Sequence, residues 1–365
     1  MPDAARVIGL MSGTSLDGVD AVLADFASPP GRLLAKRFLA YDDQLRADAL
    51  ALNFAGDNEI DRAGRFAVAV TKLYARAVNE LLADAGVASQ DVFAIGCHGQ
   101  TVRHRPDLGY TIQLSNPALL AELTGISVVA DFRSRDIASG GQGAPLVPAF
   151  HAVALRSASS HRVIVNIGGI ANVTDLPPAG AVRGFDTGPG NVLLDLWTET
   201  HLAARFDADG AWASGGRVLP RLLAAMLREP YFELGPPKST GRDLFNRAWL
   251  DRYLDGRESP QDVQATLAEL TARSIADAIE RHCANASEVF VCGGGAHNRD
   301  LIERLRRLCG TRRVATTAAV GIDPDWIEAV AFAWLAWRHM QGLSGNLPEV
   351  TGASGPRILG AFYPR

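Results

Sequence analysis

Residues 9–20 read GLMSGTSLDGVD, and this turn-forming stretch directly follows a short apolar run. Its glycines allow positive φ and a close approach of the main chain to a ligand, so several N–H groups can point at one anion. The hydroxyl of Ser12 and those of its neighbours add donors. Asp17 and Asp20 would repel a phosphate directly, but they fit a phosphate that is shared with a hydrated divalent cation. The stretch therefore predicts either a magnesium–nucleotide site or an ordinary hairpin with a polar turn.

The chain around this turn has the patterns of three strands and one long helix. Segments 6–12, 18–26 and 33–42 are apolar or alternating, which predicts successive strands joined by the turn. Apolar residues then recur at every third or fourth position over 58–86, the spacing of an amphipathic helix. A further strand is predicted at 91–99. The first half is thus a glycine-turned meander followed by a helix and a strand.

The second half of the chain repeats this plan. Residues 162–176 again predict strand, glycine turn and strand, and a helical pattern at 262–284 leads into a strand that begins at residue 287. Self-similarity at half the chain length is too long for a solenoid repeat, so it predicts an α/β protein with two related domains that face each other across a cleft. Ligands of such sheets bind where the carboxyl ends of the strands and their glycine turns converge.

Glycine-rich turns mark the predicted strand ends. Four of them, SGTSLDG, CHGQT, NIGGIAN and CGGGAHN, each come after an apolar strand. Glycine and proline also interrupt the pattern in GGQGAPLVPAFH, at residues 140–151, before a new helix. We place the domain boundary there, with an N-terminal domain at 1–145 and a C-terminal domain at 146–365.

Composition excludes several classes of protein. The 365 residues are 47% hydrophobic and carry a formal net charge of -4, which allows two full cores and does not favour a nucleic-acid surface. We recognise neither a signal peptide nor a membrane-length apolar stretch, and the cysteine spacing suits neither a metal site nor a disulfide framework. We therefore expect buried, reduced thiols and a cytoplasmic protein. P-loop and dinucleotide-binding fingerprints are missing from the sequence, so those folds are not favoured.

The most informative interior stretch is RGFDTGPGNVLLD, at residues 183–195. Asp186 lies between a strand-like segment and a Gly-Pro-Gly turn, and Asn191 opens an amphipathic helix. A carboxylate held at a strand end above a cleft can act as a general base, an effect worth about 10²–10⁴ in rate. The alternative is that Asp186 caps the helix or supports the turn.

Other polar residues leave two interpretations open. His98 is either a structural hydrogen-bond partner or a ligand contact. Arg133 and Arg135 follow a predicted strand and suit a carboxylate or a phosphate, but a solvated ion pair explains them as well. Lys238 contacts a phosphate or lies on a surface loop. Glu328, early in the last predicted helix, either faces the cleft or occupies the favourable first turn.

Seven blocks of this sequence, in order, resemble the anhydro-N-acetylmuramic acid kinases, a family of the sugar kinase and actin-like ATPase superfamily. The blocks are GLMSGTSLDGVDAVL, CHGQTVRHRP, QLSNPALLAELTGISVVADFRSRDIASGGQGAPLVPAFH, NIGGIANVT, GFDTGPGN, PPKSTGRDLFN and CGGGAHN. The GQGAPLVPAFH and FDTGPGN blocks distinguish this family from other kinases of the superfamily. Leu16, where relatives often carry methionine, is a minor departure. The resemblance implies two domains of the actin-like ATPase, or ribonuclease H-like, type on either side of a nucleotide cleft.

The resemblance also implies the reaction. ATP, water and 1,6-anhydro-N-acetylmuramic acid would give N-acetylmuramic acid 6-phosphate and ADP, as a step of bacterial cell-wall recycling in the cytoplasm. Asp186 would activate water for attack at the anomeric carbon, while the bridging oxygen leaves towards the γ-phosphate. ATP and Mg²⁺ would be the cofactors, a sugar the small-molecule partner, and a homodimer the assembly; no nucleic acid or membrane is expected.

The family's binding residues carry over by position. The nucleotide would contact Gly13, Thr14, Ser15, Leu16, Asp17, Gly18, Val19, Asp20, Gly168, Gly169, Gly293, Gly294 and Gly295. Asp17 or Asp20 would help to place magnesium through water. The sugar side would comprise Thr101, Arg133, Arg135 and Glu328, and the lactyl carboxylate of the substrate gives either arginine a partner.

Four other hypotheses compete with this function. Another sugar kinase of the superfamily would share the phosphate turn. A hydrolase would open the anhydro bridge with water alone, and a non-catalytic actin-like switch would bind the nucleotide without needing Asp186. A metal-dependent carbamoyl transferase of this superfamily would need closely spaced histidines, and His98 and His104 do not have the i, i+4 spacing of a helical ligand pair. The phosphate turn together with Asp186 favours the kinase.

Overall fold

The computed structural model describes residues 5–13, 15–28 and 30–365. The chain divides into two compact units. The first unit contains the chain up to Ala154 together with Trp326–Arg365, and the second contains Leu155–Asp325. Each unit is an α/β structure with its own sheet.

The strands alternate with helices along the chain. The strands are β1 (Arg6–Ser12), β2 (Gly18–Asp25), β3 (Arg32–Ala40), β4 (Ala94–Arg105), β5 (Tyr110–Leu114), β6 (Val128–Ala130), β7 (Arg162–Ile167), β8 (Ile170–Leu176), β9 (Arg183–Pro189), β10 (Glu288–Cys292), β11 (Arg313–Thr316) and β12 (Ala361–Tyr363). The α-helices are α1 (Asp43–Ala51), α2 (Glu59–Ala85), α3 (Pro117–Thr124), α4 (Ser134–Ala138), α5 (Val147–Ala154), α6 (Val192–Leu202), α7 (Ala211–Ser214), α8 (Pro220–Met226), α9 (Arg247–Asp251), α10 (Pro260–His282), α11 (Arg299–Leu308), α12 (Ile327–Met340) and α13 (Pro348–Thr351). Short 3₁₀ helices lie at Ser89–Asp91, Pro106–Leu108, Ala208–Gly210, Pro230–Glu233, Gly294–His297 and Thr317–Val320.

The sheet of the first unit has seven strands in the order β12-β6-β4-β1-β2-β3, with β5 paired to the far end of β4. The meander β1–β2–β3 is antiparallel, whereas β4 is parallel to β1 and β6 is parallel to β4. Helix α2 packs on one face against β2 and β3, and α12 packs on the other face against β1 and β4. Because β4 and β6 run parallel to β1, the carboxyl ends of these three strands lie at one edge of the sheet.

The sheet of the second unit has the order β11-β10-β7-β8-β9. The meander β7–β8–β9 is antiparallel, β10 is parallel to β7, and β11 is parallel to β10. Apolar side chains of this sheet pack against α10 and α11 in a core that includes Val165, Phe185 and Ile275. Because β9, β10 and β11 run in the same direction as β7, the carboxyl ends of these four strands lie at one edge of the sheet.

The two sheets share one plan. Across the sheets, the orders β3-β2-β1-β4-β6 and β9-β8-β7-β10-β11 correspond strand by strand, and the corresponding strands run in the same directions. The prediction of an α/β protein with a duplicated plan is confirmed, and the predicted strands at 6–12, 18–26 and 33–42 correspond to β1, β2 and β3.

Two predicted strand ends differ from the structure. The CHGQT segment does not follow a strand but lies inside β4, which continues to Arg105 because β5 pairs with its second half after a bulge. Asp186 also lies within β9 rather than beyond it, since pairing with β8 extends to Pro189.

The compact units also differ from the predicted domain boundaries at 145 and 146. Residues 326–365 were assigned to the C-terminal domain, whereas the structure groups them with the first unit. The reason is close packing of α12 on the first sheet. A Cβ on Gly9 would lie 1.9 Å from the Ala329 carbonyl oxygen, and one on Gly96 would lie 2.1 Å from that of Phe332. Only glycine at these strand positions lets the helix backbone come so near.

Candidate active site

The turn after β1 lies at the carboxyl edge of the first sheet. A Cβ on Gly13 would meet nothing closer than the Ser15 hydroxyl, at 3.5 Å, so the main chain there is accessible to a ligand. Ser15 is exposed and donates to the Asp17 carboxylate at 2.7 Å. Leu16 has a φ of 57° and a buried side chain. An accessible main chain, a hydroxyl and an exposed carboxylate in one turn suit a phosphate with a hydrated cation.

Several residues of the predicted nucleotide segment contribute differently from what their sequence position suggests. Thr14 lies outside the described residues. Gly18 and Val19 begin β2 and are buried, so they support the turn from the sheet. Asp20 is half-buried in β2. Ser12, expected to add a donor, is instead 1% exposed, and its hydroxyl is bonded to that of Tyr74 at 2.8 Å.

Gln100, for which the sequence predicted no role, anchors the turn. Its side-chain amide donates to the Gly13 carbonyl at 3.2 Å and its amide oxygen accepts from the Tyr41 hydroxyl at 3.0 Å. The Tyr41 main-chain N–H in turn donates to the Asp17 carbonyl at 2.9 Å. Both ends of the turn are thus tied to the core, and only the register of β4 beside β1 reveals this role.

His98, which is buried, and Arg133, which is half-buried, form a pair beside the turn. The guanidinium of Arg133 donates to His98 Nε2 at 2.8 Å and to the Gly143 carbonyl at 2.8 Å. The imidazole lies 4.5 Å from the Phe332 ring, and burial together with the Arg133 charge holds the pKa of His98 well below its usual range. Since a guanidinium only donates, Nε2 accepts and the neutral ring carries its proton on Nδ1. This favours the structural interpretation of His98.

The other sugar-side candidates lie on the first unit as well. Arg135 is exposed on α4, and no hydrogen bond or ion pair to it occurs within residues 5–13, 15–28 and 30–365. Thr101 lies in β4, where its hydroxyl accepts from Gln113 at 3.2 Å. Glu328 is the second residue of α12. Ala329 packs on the middle of β1, whereas Trp337, further along α12, stacks on Phe26 just after β2. Because β2 is antiparallel to β1, Phe26 lies near the amino end of β1, so the first turn of α12 lies towards the carboxyl edge.

The predicted nucleotide-side glycines converge at the carboxyl edge of the second sheet. The carbonyl of Gly168 accepts from the Asn191 N–H at 2.8 Å, and that of Gly169 accepts from Gly190 and Val192 at 2.9 and 3.0 Å. Gly293 has a φ of 76°, and a Cβ on it would lie 2.3 Å from Asn166 Oδ1. The turn after β10 therefore packs directly against the end of β7, and the turn after β7 is bonded to the residues that precede and begin α6.

The second part of this glycine cluster stays more open. A Cβ on Gly294 would lie 3.7 Å from its nearest neighbour, Asn191 Nδ2, whereas one on Gly295 would lie 2.4 Å from Ile167 Cγ2. Within the cluster, Gly168 is also open, with its nearest neighbour 3.7 Å away. The main chain of Gly168 and Gly294 is thus available to a ligand.

Asp186 projects from the outermost strand of the second sheet. Its Oδ2 accepts from the Thr240 main-chain N–H at 3.0 Å, its N–H donates to the Lys238 carbonyl at 3.1 Å, and its carbonyl accepts from the Tyr231 hydroxyl at 2.8 Å. The side chain is half-buried. It does not cap α6, because β9 continues for three residues beyond it before the helix begins.

Asn166 and Asn172 share a row of the sheet with Asp186. Asn172 pairs with Asn166 on one side and with Asp186 on the other, so their side chains lie on the same face. Asn166 is 7% exposed, and its buried Oδ1 has no hydrogen-bond partner in the described structure. The sequence signal was the two asparagines that flank the turn in NIGGIAN. This polar row gives the carboxyl edge amide groups beside the carboxylate.

No group of three or more His, Cys, Asp or Glu side chains within the described ranges gathers as a metal site. A magnesium ion placed by Asp17 or Asp20 would take other ligands from water and phosphate, as Mg²⁺ commonly does. The four cysteines are buried and form no disulfide. None of the described helices is long and apolar enough to cross a bilayer.

The duplicated strand order, with ligand-accessible glycine turns and a carboxylate at the carboxyl edges, defines an actin-like ATPase fold. A structure with a similar fold is component A of (R)-2-hydroxyglutaryl-CoA dehydratase from Acidaminococcus fermentans, with a TM-score of 0.50. The two are 12% identical, and the match covers 92% of this chain and 98% of that one. At this identity the likeness concerns the fold alone.

Sequence comparison identifies the family within this fold. The family model AnmK, anhydro-N-acetylmuramic acid kinase, matches residues 5–365. Proteins with that name from Thiobacillus denitrificans (strain ATCC 25259 / T1) and Nitrosospira multiformis (strain ATCC 25196 / NCIMB 11849 / C 71) are 57% and 55% identical to this chain. The first match covers 99% of this chain and 98% of the relative, and the second covers 99% of each. The chain belongs to the anhydro-N-acetylmuramic acid kinase family. It is therefore an enzyme of the kinase class, which implies a sugar substrate and the use of ATP.

Proposed function

We propose that this enzyme opens 1,6-anhydro-N-acetylmuramic acid with water and transfers the γ-phosphoryl group of ATP to the oxygen that is released. The products are N-acetylmuramic acid 6-phosphate and ADP. The observation that carries this proposal is Asp186, a carboxylate at the carboxyl edge of the second sheet whose main chain and one oxygen are fixed by hydrogen bonds.

In the proposed reaction Asp186 accepts a proton from water as the water oxygen bonds to the anomeric carbon. The bond between that carbon and the bridging oxygen breaks, and its electron pair stays on the oxygen. This oxygen then attacks the γ-phosphorus of ATP, and ADP leaves. A fixed carboxylate suits the first step, because general-base catalysis depends on the base lying within hydrogen-bond reach of the proton.

The phosphates of ATP are proposed to bind the turn that contains Gly13, Ser15 and Asp17. The accessible main chain and the exposed side chains of this turn support the proposal. Asp17 and Asp20 would hold Mg²⁺ through water, and the ion would supply charge neutralisation at the phosphates when bound. Gly168 and Gly294, which are open at the edge of the second sheet, are proposed nucleotide contacts.

On the sugar side we assign the lactyl carboxylate to Arg135 rather than Arg133. Arg133 already donates to His98 and Gly143, whereas the guanidinium of Arg135 is exposed and has no hydrogen bond or ion pair within the described ranges. A bidentate arginine–carboxylate contact needs such an available group. Thr101 and Glu328 remain proposed contacts of the sugar.

The setting of the reaction is also a proposal. An anhydro-muramic sugar derives from peptidoglycan, so the enzyme would serve cell-wall recycling. Four buried cysteines that form no disulfide suit a reducing cytoplasm. We further propose a homodimer, on the basis of the family resemblance.

A coupled ADP-release assay tests the proposal. ATP and magnesium are supplied with and without 1,6-anhydro-N-acetylmuramic acid, and the sugar product is analysed by mass. We expect ADP only when the sugar is present, and a product that has gained one water and one phosphoryl group. ADP release that is independent of the sugar, or a product that gained the phosphoryl group alone, would contradict it.

A further inference from the structure

The segment 230–240 runs beside Asp186 along the outer edge of β9. As β9 is the outermost strand of its sheet, its outward main-chain groups need partners from elsewhere. For Asp186, Tyr231 and Lys238 provide them: the Tyr231 hydroxyl donates to the Asp186 carbonyl, and the Lys238 carbonyl accepts from the Asp186 N–H. The Thr240 N–H donates to the side-chain carboxylate. We call these three residues the Asp186 clamp.

The side chain of Lys238 is itself held within the clamp. Its Nζ donates to the Tyr231 carbonyl at 3.2 Å and lies 4.6 Å from the centre of the Tyr231 ring. Tyr231 is 6% exposed, and burial together with the Asp186 carboxylate raises the pKa of its phenol. The phenol therefore stays protonated and remains a donor to Asp186 across the working pH range.

On its other side Lys238 borders a cavity of about 210 Å³ between β9 and α10. The lining is Thr187, Leu227, Phe232, Glu233, Lys238, Ser274, Asp277, Ala278, Arg281 and His282. The contacts that the structure gives for the ammonium are with Tyr231. Nζ lies over the Tyr231 ring, whose hydroxyl donates to the Asp186 carbonyl, so Tyr231 links the ammonium to Asp186, and the Asp186 carboxylate raises the pKa of Lys238.

We propose that Tyr231 and Lys238 are positioning residues for Asp186, with Tyr231 fixing the main chain and the Lys238 ammonium keeping the carboxylate in its ionised form. This inference rests on the proposed role of Asp186 as the base. It assigns a function to the PPKSTGRDLFN segment, which the reaction outlined above does not use.

Other charged groups near the clamp act on Lys238 in both directions. Burial and the Arg281 guanidinium lower the pKa of Lys238, whereas the carboxylates of Asp186 and Glu233 raise it. Glu233 is largely exposed and paired with Arg281 at 3.3 Å. His282, whose pKa is lowered by burial and by nearby cations, and Asp277 line the same cavity. Each of these groups remains in a Lys238 variant, where the pKa of His282 also rises because Lys238 is one of the cations that lower it.

The test is the pH dependence of kcat for Lys238→Met. Loss of the cation raises the pKa of the neighbouring carboxyl, so Asp186 becomes protonated at a higher pH. We expect the acid limb of the profile to move up by about half to one pH unit. Lys238→Arg, which keeps the charge, should restore the limb, and Lys72→Met, which removes an exposed lysine on α2, should leave it unchanged.

A second variant, Tyr231→Phe, keeps the ring under Lys238 but removes the hydroxyl that holds the Asp186 carbonyl. We expect kcat to fall about fivefold to tenfold with little change in KM for ATP and no movement of the acid limb. Tyr253→Phe, a change of the same kind at a tyrosine that packs on Trp249, is the matched control.

The outcomes separate this inference from the proposed function. If Asp186→Asn abolishes turnover but neither Lys238→Met moves the limb nor Tyr231→Phe lowers kcat, the clamp is only structural and the inference is overturned. If Asp186→Asn retains full turnover, the proposed base is wrong, whatever the clamp variants do.

Discussion

The third strand of each meander, β3 in the first unit and β9 in the second, has the same place in the strand order but carries different chemistry. One row across the first sheet reads Met11, Asp20 and Phe38, and the corresponding row of the second, also one residue before the end of the first strand, reads Asn166, Asn172 and Asp186. A repeated plan thus places a mostly apolar row in one unit and a fully polar row in the other.

The turns after the first strands differ in a complementary way. The turn of the first sheet carries Ser15 and Asp17 on an open main chain. The turn of the second sheet is formed by Gly168 and Gly169, whose carbonyls are bound by the N-terminal region of α6. In the proposed reaction the polar turn serves the phosphates and the polar row serves the sugar bond. The duplicated topology supplies the positions, and the side chains alone decide which chemistry each unit performs.

The largest effect is expected at Asp186, whose place in the second row corresponds to that of Phe38 in the first. Asp186→Asn keeps the shape of the side chain but removes the base, so kcat should fall by about 10²–10⁴, equivalent to about 3–5 kcal/mol in the barrier. ATP affinity, measured by calorimetry, should stay within about twofold. Asp255→Asn, at an exposed carboxylate of the same unit, serves as the control. Retained turnover in Asp186→Asn would remove the functional contrast between β9 and β3.

A second prediction concerns the tight glycine packing of the second unit. Gly293→Ala should lower the free energy of unfolding by about 2 kcal/mol, because its φ is 76° and the new Cβ would meet Asn166 Oδ1. Gly294→Ala, at the adjacent open position, should change it by less than about 0.5 kcal/mol. Denaturant titration measures both. Equal losses would show that the contact between the turn after β10 and the end of β7 does not stabilise this edge.

The third prediction tests the polar turn of the first unit. Asp17→Ala should weaken magnesium–ATP binding by about tenfold, or about 1.4 kcal/mol, because a charged partner of the hydrated ion is lost. Binding of ATP without magnesium should change less. Asp57→Ala, at an exposed carboxylate in the segment between α1 and α2, should have no effect. Unchanged affinity in Asp17→Ala would exclude this residue from the nucleotide site.

The smallest effect is expected from making the two rows more alike. Asn172→Asp places a carboxylate in the middle of the second row, as Asp20 does in the first. A like charge opposite Asp186 raises the pKa of that carboxyl, so the acid limb of kcat should move up by about half to one pH unit. Asn172→Ser, which adds no charge, should leave the limb in place. A downward movement in Asn172→Asp would contradict the cross-strand arrangement.

Much of the fold could be predicted because its signals are local. The apolar pattern and the glycine turns predicted β1 to β3, α2 and the β7–β8 hairpin. Membership of α12 in the first unit could not be read in this way, since it depends on contacts of Gly9 and Gly96 with a helix more than two hundred residues away in sequence. Glycines within apolar strands were the only local sign of such packing.

In the candidate site too, residues with a local sequence signal could be predicted and residues whose role depends on distant contacts could not. Asp186 was selected because its neighbours form a distinctive motif, although its role as a base stays a prediction. No role was predicted for Gln100 or Tyr231, because their importance follows from the register of β4 beside β1 and from a distant segment that returns to β9. A residue whose role depends on what lies across a sheet carries no mark in its own segment.

The most direct test of the proposed reaction follows the oxygen of water. The enzyme is given ATP, magnesium and 1,6-anhydro-N-acetylmuramic acid in ¹⁸O-water, the reaction is quenched early, and preformed product in the same water corrects for exchange. We predict ¹⁸O on the anomeric carbon and none in the phosphoryl group of the product. Label in the phosphoryl group or in free phosphate would mean that water attacks phosphorus, and would contradict the assignment of Asp186 as the base that opens the sugar.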